Sequence, residues 1–168
     1  MHPIELAPGI RSVVLVEGVS DAAAIEAIAA QREQSLGHVA VIPIGGATNV
    51  RAAADGLDDV AVAGLCDRGE ERFFARVLDT YFVCDKDLED EFIRALGTGR
   101  IERVMDELGD LAAFRTFQNQ PFQRSRSLEQ QQHRFMGTMS GRKEQYGRAL
   151  GATGAVPPPL AALLEWCR

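Results

Sequence analysis

No stretch of the sequence approaches the roughly 20 consecutive apolar residues that a bilayer crossing needs. Residues 1–7 have neither a basic start nor an apolar stretch with a cleavage site. A protein of the cytoplasm, without a membrane partner, is the expectation. Cysteine is scarce and odd in number, and two of Cys66, Cys84 and Cys167 end apolar runs, where a reduced, buried thiol fits better than a disulfide. His2, His38 and His133 lie far apart and none is near a cysteine at zinc-ligand spacing, so no structural zinc is expected. A Gly-x-x-x-x-Gly-Lys-[Ser/Thr] loop is missing too. Residues 137–143 look phosphate-loop-like but have the wrong spacing and run into Glu144, which argues against ATP hydrolysis by this chain. There is no internal repeat, and the glutamine patch at 130–132 is too short to be low complexity.

What is present is ordinary globular composition: 168 residues, 46% hydrophobic and 25% charged, enough for one domain with a real core. The net charge of −6 argues against blanket attraction to phosphate. It conceals an asymmetry. Residues 1–97 carry 8 basic against 17 acidic side chains, whereas residues 98–168 carry 10 against 7. Between 111 and 150 stand Arg115, Arg124, Arg126, Arg134, Arg142, Lys143 and Arg148, opposed only by Glu129 and Glu144. Carboxylates that hold a cation beside arginines that hold phosphates would suit metal-assisted chemistry on a polyanion. A solvated charged surface is the plain alternative.

The first half alternates short β-branched runs with alanine-rich or amphipathic segments, the period change of βαβ units. Strands are expected at 12–16, 39–43, 60–66 and 80–84. Helices are expected at 20–31 (capped by Ser20), 50–56, 70–78 and 88–96. Strands that are apolar without alternation are buried on both faces, which calls for a parallel sheet covered by helices. The second half lacks strands. Segments 101–108, 111–117, 128–135, 142–150 and 160–166 read as helices between glycine and proline breaks. The expectation is one α/β domain over 1–168: a Rossmann-like four-stranded parallel sheet flanked by helices (core 10–97) with a helical C-terminal extension (98–168).

In such sheets ligands bind at the carboxyl ends of the strands. There the sequence places Glu17-Gly18-Val19-Ser20-Asp21, then Gly45-Gly46-Ala47-Thr48-Asn49, Asp67-Arg68-Gly69-Glu70-Glu71 and Asp85-Lys86-Asp87-Leu88-Glu89-Asp90. Acidic residues at helix starts are common caps. Three such loops at one edge would repel unless protons or cations intervene, and hard divalent cations such as Mg²⁺ or Mn²⁺ take oxygen ligands of this kind. Glu17 stands out, because neither strand nor helix needs a carboxylate between an apolar strand and a glycine. Tyr146, one turn from Lys143, is read as a packing residue ahead of a nucleophile. Phe114, Phe117, Phe122 and Phe135 are read as core ahead of base stacking. Trp166 with Leu160, Leu163 and Leu164 forms an apolar helix face expected to dock on the domain.

The elements 14–21 (VLVEGVSD), 42–46 (IPIGG) and 64–67 (GLCD), with Asp87-Leu88-Glu89 and Ser140-Gly141-Arg142-Lys143, resemble a TOPRIM domain, the catalytic module of topoisomerases, bacterial primases and related nucleases. The OLD (overcoming lysogenization defect) nuclease type is the nearest likeness. The resemblance implies Glu17 as metal ligand or general acid/base, Asp21 and Asp67 as further metal ligands, Asp87 and Glu89 as support for a second Mg²⁺ or Mn²⁺, and Lys143 as a transition-state cation. It also implies cleavage of nucleic acid, DNA ranked ahead of RNA, and an ATPase supplied separately if at all. One position departs from the family: the second aspartate of its Asp-x-Asp falls on Gly69. Either Glu70 or Glu71 swings in to replace it, or the site is a degenerate, binding-only module. A small phosphorylated or nucleotide substrate is a third alternative.

Overall fold

The computed structural model describes residues 4–138 and 141–168. Four parallel strands, β1 (Ser12–Val16), β2 (Val39–Pro43), β3 (Ala61–Asp67) and β4 (Tyr81–Cys84), form a sheet in the order β2-β1-β3-β4. Val16 lies opposite Pro43 on one side and Leu65 on the other, and Asp67 lies opposite Cys84. The carboxyl ends of β1 and β3 are thus neighbours at the centre of the sheet. The expected α/β fold class is the observed one, and the strand bounds agree to within one residue.

The unbroken apolar strands are explained by two cores, one on each face of the sheet. Val14 and Val16 face one, Val13 and Leu15 the other, and all four are fully buried. The smaller core is closed by a short 3-10 turn at Ala47–Asn49, α2 (Val50–Ala54) and α3 (Glu71–Phe74), through Val50, Ala53, Phe74 and Leu78. The helix expected over 70–78 is one turn, α3. Chain reversal begins after it, with Val77 N–H bonding the Phe74 carbonyl at 2.9 Å.

The larger core lies beneath α1 (Val19–Gln31), α4 (Leu88–Leu96), α5 (Thr98–Glu107), α6 (Leu111–Gln118), α7 (Leu128–Thr138), α8 (Lys143–Gly151) and α9 (Pro158–Trp166). Phe114 and Phe135 meet edge to face at 5.2 Å, with Phe117 at 5.5 Å from Phe135, whereas Phe122 is 62% exposed and outside that cluster. The α9 face docks as expected: Leu160, Leu163 and Leu164 are buried, and the Gln34 side-chain amide donates to the Leu164 carbonyl at 2.7 Å. All three cysteines are free and buried, and burial pushes the Cys66 thiol up to about 12. Among the described residues no helix is long and apolar enough to cross a membrane.

One packing feature sets the position of α8. Gly147 and Gly151, four residues apart, face α1 so closely that a Cβ on Gly147 would stand 2.2 Å from the Ser20 carbonyl oxygen. One on Gly151 would stand 2.6 Å from that of Ala24. Only glycine permits this approach. Lys143, one turn before Gly147 on the same helical face, is thereby carried to the first turn of α1.

Candidate metal and phosphate centre

Glu17 follows β1 directly. Its backbone carbonyl accepts from Gly46 N–H at 3.0 Å, which draws the Gly45-Gly46 turn against it, while its Oε1 accepts from Asp67 N–H at 3.0 Å. Asp21 sits in the first turn of α1, and its Oδ2 accepts from Gly18 N–H at 2.8 Å. Gly18, not Ser20, is therefore the cap position of that helix, since the carboxylate three residues on reaches back to it. Asp67 ends β3. Glu89 lies in the first turn of α4, whose dipole favours its charge. Glu17, Asp21, Asp67 and Glu89 line one open cleft of about 320 Å³, with Gly45, Gly46 and Lys143 among the other walls.

Crowding of like charges leaves its mark. Burial, reinforced by the charges of Glu17, Asp21, Asp87 and Glu89, pushes the Asp67 carboxyl up to about 8. Burial likewise raises Asp21 to about 7, with Glu89 and Glu17 adding to the shift and the Gly18 N–H and Lys143 opposing it. Glu17 and Glu89 are also raised, chiefly by burial. Four carboxylates and one ammonium leave the cleft short of positive charge. Hard oxygen donors in that number suit Mg²⁺ or Mn²⁺. As the side chains are turned, however, no three His, Cys, Asp or Glu among the described residues stand close enough together to grip an ion. Glu17 and Asp21 each spend one oxygen on a backbone N–H and keep the other.

The remaining expected site residues are placed differently. Glu70 is near enough to raise Glu17 by its charge but is not in the cleft wall. Asp87 caps α4: its Oδ1 accepts from Asp90 N–H at 2.9 Å and its Oδ2 lies 2.5 Å from His133 Nε2. Burial opposes its charge, but these two bonds outweigh that and lower its pKa. Both its oxygens are engaged, and it too stands outside the cleft wall.

The basic segment divides as well. Arg115 is clamped by Glu102 at 2.6 and 2.9 Å, and Arg148 pairs with Glu144 at 3.0 Å. Arg142 bonds Asp110 and the Leu108 carbonyl. Tyr146, only 1% exposed, donates to the same Asp110 at 2.7 Å, so its hydroxyl is a buried strut remote from any nucleophilic role. Lys143 belongs to the acidic cleft. Arg126 and Arg134 line a separate groove, and Arg124 is exposed. Ser140 lies outside the described residues.

Residues 10–66, from the approach to β1 through nearly all of β3, match the family described as overcoming lysogenization defect protein-like, TOPRIM domain. Over that stretch the chain is similar to an OLD-type TOPRIM domain. Two solved structures share the fold along almost the full length. The C-terminal region of the Burkholderia pseudomallei OLD protein has 17% identity and a TM-score of 0.67, covering 95% of this chain and 97% of its own. The C-terminal region of the Xanthomonas campestris pv. campestris OLD protein has 20% identity and a TM-score of 0.69, covering 93% and 91%. No curated protein matches the sequence. The helices after residue 98 are thus part of the shared fold, while the TOPRIM family match itself ends one residue before Asp67.

Motif reading of the TOPRIM elements leaves three contributors unassigned. Gly151, expected as a break after the helix, lies inside α8, and the Gly147-x-x-x-Gly151 spacing that a helix running through it would have shown as a close-packing signal is what delivers Lys143. The Asp110–Arg142–Tyr146 cluster and the His133–Asp87 pair join residues at least 32 apart, and nothing in their local sequence marks them.

Proposed function

We propose that this TOPRIM domain cleaves phosphodiester bonds in nucleic acid with Mg²⁺ or Mn²⁺. The observation that carries the reading is the convergence of Glu17, Asp21, Asp67 and Glu89, from three separate loops, on one cleft that also receives Lys143. Glu17, Asp21 and Asp67 would hold the ion, with Glu89 near Asp21, and the ion would supply Lewis-acid activation of water and of the scissile phosphate. Burial and the neighbouring carboxylates push the Asp67 carboxyl up to about 8 in the ion-free cleft, so an ion bound there displaces its proton. Lys143 would bring an ammonium to the cleft where charge builds on the phosphate oxygens. Glu70 and Asp87 flank the site, Glu70 as the nearest substitute for the carboxylate missing at Gly69.

Plasmid nicking in Mn²⁺ tests this. Nicking by the wild type, abolished in Glu17→Gln, is expected. Nicking that survives in Glu17→Gln overturns the assignment. A second reading, a binding module without turnover, is favoured by Gly69 and by the engagement of both Asp87 oxygens. Wild-type turnover that disappears in Asp67→Asn excludes it.

A further inference from the structure

Beside the acidic cleft lies a groove of about 430 Å³ whose walls include Lys86, Arg126, Gln130, His133 and Arg134. Lys86 comes from the loop after β4, and Gln130, His133 and Arg134 lie on consecutive turns of α7. The cations here, like the exposed Arg124 and like Lys143, differ from three others on the segment. Arg115, Arg142 and Arg148 each have a carboxylate partner, whereas among the described residues no carboxylate lies within ion-pair distance of Lys86, Arg126 or Arg134. Arg126 uses only its Nε, toward the Phe122 carbonyl at 3.2 Å, and Lys86 has its Nζ 3.4 Å from His133 Nδ1. The guanidinium groups of Arg126 and Arg134, without carboxylate partners in a concave wall, call for an anion from outside, and Lys86, whose charge also acts on Asp87 behind His133, adds to them.

The groove does not stand alone. A smaller hollow lined by Val19, Gly137, Gly141, Lys143 and Glu144 shares Gly137 with it and shares Val19 and Lys143 with the acidic cleft. The three hollows follow one another along the surface. Four residues before Arg126, whose Nε donates to its carbonyl, Phe122 is 62% exposed in a protein whose other phenylalanines are buried or partly covered. An exposed ring next to unpaired arginines offers a stacking platform that a base can use only when it is unpaired.

We infer that this groove is a track for single-stranded nucleic acid, with Lys86, Arg126 and Arg134 on successive phosphates, Phe122 under a base, and the strand leading past Val19 into the acidic cleft. The inference rests on the phosphodiesterase reading for the fate of the strand, but binding in the groove needs neither metal nor cleavage. It is therefore tested in EDTA, with a fluorescent 12-nucleotide single-stranded DNA and anisotropy as the readout, on the full chain and with circular dichroism confirming that each variant is folded.

Three phosphate contacts give a slope of about −2 in log affinity against log salt. Arg126→Ala/Arg134→Ala is expected to weaken binding by about tenfold or more. Arg115→Ala/Arg148→Ala removes the same formal charge from paired sites and is expected to change it less than about twofold. Phe122→Ala is expected to cost about five- to tenfold with the single strand and nothing with a duplex of the same length, which binds more weakly. Equal losses in the two double variants, or a duplex bound as tightly as the strand, would overturn the proposal. If strand binding holds in EDTA while plasmid nicking is absent, the catalytic reading fails and the track stands. If nicking occurs without groove-dependent binding, the track fails and the catalytic reading stands.

Discussion

Glu17 Oε1 accepts a hydrogen bond from the backbone N–H of Asp67 at 3.0 Å, across a separation of fifty residues. The bond closes the gap between the ends of two adjacent parallel strands. It also holds the Glu17 carboxylate beside Asp67, whose carboxyl is raised first by burial and then by the Glu17 charge.

Burial of these carboxyls, with the charges around them, sets the pH response. Asp21 and Asp67 are raised from 3.8 to about 7 and about 8, so the folded chain holds these protons more tightly than the unfolded one. Their stabilising contribution is complete below about pH 3.8 and is lost as pH rises through about 7 to 8. The Tm of metal-free protein should therefore fall between about pH 5 and pH 8.5. Asp67→Asn should remove most of that slope, and added Mn²⁺ should flatten it by replacing protons with an ion. A metal-free Tm that climbs over this range contradicts the charge assignment.

The approach of α8 to α1 is a stability prediction. Gly147→Ala drives a methyl into the Ser20 carbonyl and should cost about 1–3 kcal/mol by overpacking, against which a gain of about 1 kcal/mol in helix propensity works. A net loss in urea denaturation is expected, accompanied by reduced nicking as Lys143 is displaced. A variant as stable and as active as the wild type would show that the helices do not need this contact.

Gly69 tests the family departure directly. It is exposed, its φ is outside the left-handed region, and an added Cβ would meet nothing within 4 Å, so the backbone does not require glycine there. Gly69→Asp should leave stability within about 0.5 kcal/mol and tighten Mn²⁺ binding severalfold by calorimetry. Unchanged Mn²⁺ affinity in a folded variant would mean that position 69 does not face the ion.

Tyr146→Phe separates a strut from a nucleophile. Loss of the buried hydrogen bond to Asp110 should cost about 1.5–3 kcal/mol in unfolding experiments, while nicking persists below the lowered Tm. Complete loss of cleavage in the folded variant would restore the nucleophilic role.

The sheet was legible because its strands are apolar on both faces, and the carboxyl-edge loops then follow from parallel topology alone. That placed Glu17, Asp21, Asp67, Glu70, Asp87 and Glu89 at one edge, of which the cleft wall takes Glu17, Asp21, Asp67 and Glu89 and leaves out Glu70 and Asp87. Lys143 was identified through a family likeness, whereas the reason it reaches the cleft is the glycine-lined seam between α1 and α8. The arginines resisted sequence reading because a count of charges does not reveal partners: Glu102, Asp110 and Glu144 occupy Arg115, Arg142 and Arg148 and leave Arg126 and Arg134 open. Phe122 escaped the core for a similar reason, since it sits in a short 3-10 turn with no periodic face to bury.

The most direct measurement is an anomalous-scattering map from a crystal soaked in Mn²⁺. A peak in the cleft, within ligand distance of carboxylate oxygens from both Glu17 and Asp67, is the expected result. An empty cleft at a saturating Mn²⁺ concentration, or a peak bound by only one of the two residues, would contradict the shared site on which the functional reading depends.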